Sequence, residues 1–380
     1  MLSDPIVIIS AKRTPMGHFN GVFKDISATQ LGGYAIKSVG ANMNVDAVIM
    51  GCVLSAGLGQ APARQAAIAA GIENTVPCTT INKMCGSGMQ SIIMACREIE
   101  SDHADIMIAG GMENMSRAPY LLPGARFGYR IGAKTAEDHM MHDGLINAYG
   151  DHLSMGALAE NCAKQFHITR EAQDAFTLTS IERAIHATKS GFFKDEITPV
   201  ENIIEDEGIQ KAIPEKIPTL KPAFAKNGTI TAANSSSISD GAAAILLMRA
   251  STAKKLQLSP LARIVADATA AQEPEWFSTA PITAIKKLLR KTGWKIEAVD
   301  LFEVNEAFAV VAMATMQALS ISHDKINIHG GACILGHPIG ASGARIVVTL
   351  IHALKRINKK RGIATLCIGG GEATAIAIET

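Results

Sequence analysis

An internal duplication is the feature of this sequence that most constrains its fold. Three segments of the first half return in the same order in the second half, each offset by roughly 250 residues. Such an offset is far larger than the ~20–50-residue period of solenoid repeats, so we expect two related, domain-sized halves. The paired segments are 45–50 (VDAVIM) with 299–304 (VDLFEV), 80–88 (TINKMCGSG) with 336–343 (GHPIGASG), and 105–111 (DIMIAGG) with 364–370 (ATLCIGG).

Short β-branched runs alternate with helical patterns around these motifs. Apolar residues recur every three or four positions in 29–39 and 85–99, which predicts helices there. Strand–helix alternation of this kind predicts an α/β fold with parallel sheets covered by helices on both faces. The predicted strands of the first half are 5–10, 46–50, 79–82 and 105–110.

The middle of the chain breaks this alternation. Ser154 is predicted to cap a helix through Phe166, and Thr169 to cap a longer one that ends near Gly191. Prolines then punctuate an irregular stretch. We therefore expect an inserted loop domain. The predicted division is 1–115 plus 240–262 for the first half, 116–239 for the insertion and 263–380 for the second half.

Composition narrows the classes of function. Hydrophobic residues make up 48% and charged residues 19%, a balance typical of a packed core and not of disorder. Because 36 basic residues face 35 acidic ones, a nucleic-acid partner is not expected. No apolar run reaches the ~18–20 residues of a membrane span, and the first residues do not resemble a secretory signal.

The seven cysteines are odd in number and lie mostly in apolar segments. This pattern favours free thiols in a reducing compartment, so we expect a cytoplasmic protein. No Cys-x-x-Cys pair occurs in the sequence, and a zinc site is not expected.

Cys85 is the first candidate for chemistry because it lies between a predicted strand and a helix that begins in glycines. Free N–H groups at a helix start stabilise a thiolate, so we expect the pKa of this thiol to be lowered. The same groups can bind a developing oxyanion. The alternative is a buried structural cysteine, the commoner fate of a lone thiol.

The second half offers a base and a second thiol. His337 occupies the corresponding motif, beside proline and glycine, where an open backbone suits a general base. Cys367 ends a predicted strand and runs into three glycines, whose N–H groups can bind an anion. Asn305 and Glu306 follow another strand, although simple helix capping would also explain them. Together these residues predict a nucleophilic acyl-transfer site, in which a thiolate holds an acyl group as a thioester.

These motifs resemble the signature blocks of the thiolase family. The blocks are NKMCGSGMQ at 82–90, NEAFA at 305–309, the stretch from NIHGG to GHPIGASGAR at 327–345, and ATLCIGGG at 364–371. The opening segment and NSSSISDGAAA are also similar to the family, so the resemblance covers nearly the whole chain. It implies a five-layered α-β-α-β-α fold built from two duplicated halves, with a loop domain inserted in the first.

The resemblance also implies roles for individual residues. Cys85 would accept the acyl group from a coenzyme A thioester, His337 would activate it, and Cys367 would exchange the α-proton of acetyl-CoA. Asn305 would hold a water in one oxyanion hole together with His337, and the N–H groups of Cys85 and Gly369 would form the other. Coenzyme A would be substrate and product, with no further cofactor and no metal.

The residues around Cys85 resemble the family branch that reversibly condenses two acetyl-CoA into acetoacetyl-CoA. Met155 would narrow the acyl pocket, Ser236 would meet the pantetheine arm, and Phe308 would line the acyl pocket. Ser154 stands where that branch usually has histidine. A homo-oligomer, dimer or tetramer, is implied, with the insertion as the tetramer contact.

Three alternatives remain open. A thiolase of fatty-acid β-oxidation would share the chemistry but take longer 3-ketoacyl chains. A catalytically silent lipid-binding or assembly subunit would not need Cys85, Asn305, His337 and Cys367 together. A decarboxylating ketosynthase would use histidine or asparagine in place of Cys367.

Overall fold

The computed structural model describes residues 4–40 and 42–380. Its strands fall into one ten-stranded sheet and a separate two-stranded hairpin. The strands are β1 Ile6–Arg13, β2 Gly17–His18, β3 Ala47–Gly51, β4 Cys78–Ile81, β5 Ile106–Asn114, β6 Tyr120–Leu121, β7 Glu137–Asp138, β8 Ser239–Arg249, β9 Ala262–Ala271, β10 Leu301–Val304, β11 Arg361–Ile368 and β12 Glu372–Glu379.

The helices lie between these strands and in the insertion. Two of them, α3 (Ser87–Glu100) and α11 (Ser342–Arg356), form the centre of the molecule, and each begins within the second pair of motifs, 80–88 and 336–343. The helices are α1 Ala28–Gly40, α2 Pro62–Ala69, α3 Ser87–Glu100, α4 Met155–Gln165, α5 Arg170–Lys189, α6 Glu207–Lys211, α7 Ala250–Lys255, α8 Ala280–Thr292, α9 Ala309–Leu319, α10 Ala332–Leu335 and α11 Ser342–Arg356.

The topology confirms the duplication. One half has the strand order β3-β5-β8-β1 and the other β10-β11-β12-β9. In each order the first pair is parallel and the next two pairs are antiparallel. The two halves join where β1 pairs with β9.

The prediction of parallel sheets holds for only some strand pairs, because the sheet of each half is mixed. The last two strands show the reason. Only a short glycine turn, 369–371, separates β11 from β12, and so tight a connection joins antiparallel strands, since a parallel pair needs a crossover of a dozen or more residues.

Five layers follow from the packing. The central layer is α3 with α11, and their apolar side chains share one core with residues from both halves of the sheet. On the first half, α1 and α2 cover the outer face; on the second, α8 and α9 do so. Strands covered on both faces are mainly apolar, and all nine residues of β5 are buried, including Glu113 and Asn114 at its end.

Two glycines let the central helices touch at their N-terminal ends. A Cβ atom on Gly88 would lie 2.8 Å from the Ala344 backbone nitrogen, and one on Gly343 would lie 2.4 Å from that of Met89. Both distances are shorter than a real Cβ contact, so only glycine permits this approach. The loops that lead into α3 and α11 therefore meet at one place.

The chain between β5 and β8 forms the insertion, with helices α4 to α6 and the β6–β7 hairpin. Ser154 and Thr169 cap α4 and α5 as predicted, since each side-chain oxygen accepts a backbone N–H three residues on. The exact domain boundaries stay a prediction. In the part of the chain that the structure describes, no helix is both long and apolar enough to cross a membrane.

Candidate active site

Cys85 lies in the turn between β4 and α3. Ser87 holds this turn: its hydroxyl donates to the Met84 carbonyl (2.6 Å) and accepts from the Lys83 N–H (2.8 Å). The backbone N–H groups of Cys85 itself and of Gly369, in the β11–β12 turn of the other half, both lower the pKa of the Cys85 thiol because they face its sulfur. Two N–H groups, one from each half, therefore converge on the sulfur.

The expectation of a lowered Cys85 pKa is wrong for the protein without substrate. Burial raises the pKa of the Cys85 thiol to about 11, and the nearby Glu113 carboxylate also raises it. The two N–H groups lower this pKa but do not outweigh desolvation. Cys85 is thus a thiol at neutral pH and needs a base to become a nucleophile.

Cys367, in β11, is buried close to Cys85. Burial raises the pKa of the Cys367 thiol well above its ordinary value, and the neighbouring Cys85 raises it further because two thiolates would repel. The structure therefore brings together the two cysteines that the sequence singled out.

His337 lies between α10 and α11, and the start of α11 orients its ring. The Nδ1 atom is 2.6 Å from the Ser342 hydroxyl oxygen, and that hydroxyl donates to the Pro338 carbonyl (3.0 Å). Since the serine proton is used there, Nδ1–H donates to serine, and Nε2 carries the free lone pair. Nε2 is buried without a hydrogen-bond partner among the described residues.

The protonation of His337 follows from its surroundings. Burial lowers its pKa to about 3, and the buried Arg345 guanidinium lowers it as well. The imidazole is therefore neutral at physiological pH and able to accept a proton at Nε2.

The Cys85 and His337 motifs correspond in position, but the two residues do not occupy equivalent places relative to the helices that follow them. Both central helices begin at a serine, Ser87 and Ser342. Cys85 precedes its helix by two residues, and the residue two before Ser342 is Gly340. His337 thus lies in the corresponding loop, but three residues before the position equivalent to Cys85.

Asn305 follows β10, and its backbone N–H donates to Thr365 in β11 (3.0 Å). The buried Arg345 donates to its side-chain oxygen (3.2 Å), which fixes the orientation of the amide. The amide nitrogen consequently faces the His337 ring, 3.4 Å from Nδ1. Asn305 therefore presents a donor beside the histidine.

Helix capping does not explain Asn305 and Glu306. Helix α9 begins at Ala309 with Phe308 at its N-cap position and no side-chain cap. Glu306 is buried behind the site, where its carboxylate accepts bonds from Asn327, Ser180 and the Cys333 N–H.

The three residues predicted to contact substrate line one cavity of about 510 Å³, together with His337. Met155 opens α4, and its sulfur lies 3.8 Å from the position of a Cβ atom on Gly369. Phe308 is held edge-on by Phe224, at 5.9 Å between ring centroids. The Ser236 hydroxyl donates to the Ala307 carbonyl (3.0 Å). The cavity is lined mainly by apolar residues and adjoins the Gly369 turn that contacts Cys85.

The sequence reasoning missed Ser342 and Arg345, which orient His337 and Asn305, and Phe224, which supports Phe308. Both Ser342 and Arg345 lie in the quoted segment GHPIGASGAR, in the first turn of α11. A polar residue one turn after a candidate base was the available signal. Among the described residues, no group of three or more His, Cys, Asp or Glu is arranged to hold a metal ion.

Comparison with known proteins agrees with this arrangement. The profile of the thiolase N-terminal domain matches residues 6–251, and that of the thiolase C-terminal domain matches residues 258–380. A probable acetyl-CoA acetyltransferase of Dictyostelium discoideum is 47% identical, over 99% of this chain and 94% of the relative. Acetyl-CoA acetyltransferase 2 of Arabidopsis thaliana is also 47% identical, over 98% and 96%.

A solved structure extends the agreement to three dimensions. The Acat5 thiolase of Ascaris suum, determined in complex with coenzyme A, superposes with a TM-score of 0.94 at 42% identity, and the match covers 99% of this chain and 100% of that one. The duplicated halves, the paired cysteines and these matches over nearly the full length lead to one conclusion: the chain belongs to the thiolase family.

Proposed function

We propose that this protein catalyses the reversible Claisen condensation of two acetyl-CoA molecules to acetoacetyl-CoA and free coenzyme A, through an acetyl group held on Cys85. The observation that carries the proposal is the meeting of two thiols from opposite halves, Cys85 and Cys367, near the loop of the neutral His337, whose Ile339 packs in one cluster with Cys85. One thiol can hold an acyl group while the other exchanges a proton. The acetyl-CoA acetyltransferases at 47% identity support the same reaction.

In the first step, His337 Nε2 takes the proton of Cys85, and the thiolate attacks the thioester carbonyl of acetyl-CoA. The sulfur–carbon bond to coenzyme A breaks, and Cys367 protonates the departing thiolate. The N–H groups of Cys85 and Gly369, which converge on the Cys85 sulfur, lie where they can stabilise the tetrahedral oxyanion. Acetyl-Cys85, imidazolium and the Cys367 thiolate remain.

In the second step, the Cys367 thiolate removes an α-proton from a second acetyl-CoA. Its raised pKa makes it a strong base once it has lost its proton. The enolate carbon attacks acetyl-Cys85, and the released thiolate recovers its proton from His337. Asn305, with the amide oriented by Arg345, supports the enolate oxygen through a water molecule together with His337.

Acetyl and acetoacetyl groups are the proposed acyl groups because bulky side chains of the cavity lie close to the turn that contacts Cys85. Met155 approaches the Gly369 turn, and Phe308 is fixed by an aromatic neighbour. The reaction needs only nucleophilic, acid–base and N–H groups of the chain, so coenzyme A as substrate and product is the one cofactor-like molecule we propose. Activity should therefore survive dialysis against a chelator.

We also propose a cytoplasmic location and a homo-oligomer. Seven free thiols, two of them required for the reaction, suit a reducing compartment.

The position of strand β4 supports the homo-oligomer. This strand leads into the Cys85 turn and lies at one edge of the sheet, where a second copy can pair. In the insertion, Phe127 and Ile131 are 90% and 91% exposed, which supports a further contact between dimers. Light scattering of the wild type and of a Phe127→Ser, Ile131→Ser variant tests this: the variant should lose the tetramer.

Thiolysis of acetoacetyl-CoA, 3-ketohexanoyl-CoA and 3-ketodecanoyl-CoA at one enzyme concentration tests the proposed function. Turnover confined to the four-carbon substrate is the expected result. Comparable or faster turnover of the longer chains would identify a β-oxidation thiolase instead. No turnover of any substrate would contradict both activities.

A further inference from the structure

Glu113 is a buried carboxylate that the reaction above leaves without a role. It lies in β5, fully buried, and accepts three backbone hydrogen bonds. Two come from the loop after β3, from Val53 (3.0 Å) and Leu54 (3.1 Å). The third comes from Gly340 (2.9 Å), in the loop that carries His337. One side chain thus ties a loop of the first half to the base-bearing loop of the second.

The contact with Gly340 is tight. A Cβ atom there would lie 2.6 Å from a Glu113 oxygen and 2.8 Å from the Met112 carbonyl oxygen, so the loop is seated directly on β5. Gly340 lies between His337 and Ser342, the residue that orients the imidazole. Moving the carboxylate would therefore move both ends of the His337–Ser342 hydrogen bond.

Glu113 also belongs to the surroundings of the nucleophile. Val53 and Leu54, whose N–H groups it accepts, pack in one small apolar cluster with Cys85 and Ile339. Two kinds of group influence the charge of the Cys85 sulfur: the Glu113 carboxylate in β5, and the backbone N–H groups of Cys85 and Gly369. The second thiol, Cys367 in β11, also interacts electrostatically with Cys85. Among these, Glu113 is the carboxylate, and it disfavours a negative charge on the sulfur.

The partners of Glu113 favour its ionised form. Three backbone N–H groups and the Cys52 thiol (3.7 Å) all donate to it. A protonated carboxyl would turn one acceptor into a donor and lose part of this set. Burial raises the pKa of Glu113 to about 7, so its charge is present above neutral pH.

We propose that Glu113 is a positioning residue for the acyl transfer: its carboxylate fixes the His337 loop against the loop after β3, and its buried charge adds to desolvation in opposing a negative charge on the Cys85 sulfur. The proposal rests on the proposed function for its kinetic part. Its electrostatic part concerns Cys85 alone and holds for any reaction at that thiol.

The test uses Glu113→Gln, which removes the charge and replaces one acceptor oxygen by an NH₂ donor. The matched control is Glu160→Gln. Glu160 is likewise a buried glutamate that accepts two backbone N–H groups, from Thr229 and Ile230, but it holds a loop of the insertion. Glu113→Asp keeps the charge but draws it back by one methylene.

Two readouts separate positioning from a merely structural role. The rate at which iodoacetamide alkylates Cys85, followed by peptide mass spectrometry between pH 6.5 and pH 9, reports the thiolate. We expect Glu113→Gln to alkylate about threefold or more faster at pH 7.5, because a repelling charge is gone, and Glu160→Gln to match the wild type. In thiolysis we expect kcat of Glu113→Gln to fall by about tenfold or more with KM changed by less than about threefold.

Glu113→Asp should lower kcat while keeping the wild-type alkylation profile, and it serves alone if Glu113→Gln does not fold. An unchanged alkylation profile in Glu113→Gln, a shifted profile in Glu113→Asp, or a kcat unchanged in either variant would overturn the proposal. If the wild type fails to cleave acetoacetyl-CoA, the proposed function fails, but the alkylation profiles still decide the electrostatic role of Glu113.

Discussion

Replacing Ser342 by alanine tests how the base is oriented. The Ser342 hydroxyl is the acceptor that holds the Nδ1 proton of His337, at 2.6 Å. The amide nitrogen of Asn305 also contacts Nδ1, at 3.4 Å, but it is itself a donor and cannot take over the proton. His337 is only 6% exposed, so water does not easily replace the lost partner.

The size of the effect follows from this lack of a substitute. Leaving a buried donor unsatisfied costs about 1–3 kcal/mol. The imidazole can avoid that cost by rotating or by changing its tautomer, and both responses remove the Nε2 lone pair that is proposed to accept the Cys85 proton. We therefore expect kcat/KM for acetoacetyl-CoA thiolysis to fall by about 10- to 100-fold.

The assay compares Ser342→Ala with Ser91→Ala. Ser91 is also a buried serine of the central layer, but its hydroxyl contacts the Gly88 and Gly110 carbonyls and no ring. Both variants should lose similar stability in urea, and only Ser342→Ala should lose the stated activity. A kcat/KM of Ser342→Ala within twofold of the wild type would refute the assigned tautomer.

Three further predictions concern other parts of the molecule. Burial raises the pKa of Glu303 to about 8, so the contribution of this group to stability is present below about pH 4.5 and is lost as pH rises through 8. In urea unfolding, the free energy of unfolding of Glu303→Gln minus that of the wild type should therefore increase between pH 5 and pH 8, and an equal difference at both pH values would contradict this. Met155→Ala should raise the rate of thiolysis of 3-ketohexanoyl-CoA relative to that of acetoacetyl-CoA, because the side chain whose sulfur lies beside Gly369 is removed. An unchanged ratio of the two rates would contradict the role of Met155 in narrowing the acyl pocket. The partly exposed ion pair of Lys83 and Glu372 joins the two cysteine loops. A double-mutant cycle with Lys83→Met and Glu372→Gln should give a coupling of no more than about 1 kcal/mol in urea unfolding, and a larger value would show that the pair is more than a surface contact.

Much of the site could be predicted from the sequence because its residues follow predicted strands. Cys85, Asn305 and Cys367 lie at or just after the ends of strands, and such ends meet at one edge of a sheet. The duplication placed the two central motifs in equivalent positions. The strands and helices that were predicted in the first half begin and end within a few residues of their predicted bounds, whereas α2 and β8 were not predicted.

The direction of the Cys85 pKa shift could not be predicted, because it depends on burial and on Glu113, which is 28 residues away in the sequence but adjacent in space. The residues next to Cys85 in the sequence indicate only the helix start, whose N–H groups do lower the pKa of the Cys85 thiol. Desolvation is larger than that effect and arises from the packing of both halves around the sulfur. The antiparallel pairs of the sheet were missed because helical patterns between strands suggested crossovers everywhere.

Mass spectrometry of the acylated enzyme tests the central claim most directly. Wild type, Cys85→Ala and Cys367→Ala would each be mixed with acetyl-CoA, quenched in acid and digested. The account predicts the mass of one acetyl group on the Cys85 peptide in the wild type and in Cys367→Ala, no acetyl group in Cys85→Ala, and no acetoacetyl-CoA formed by Cys367→Ala. Acetylation of another residue, or normal condensation by Cys367→Ala, would contradict it.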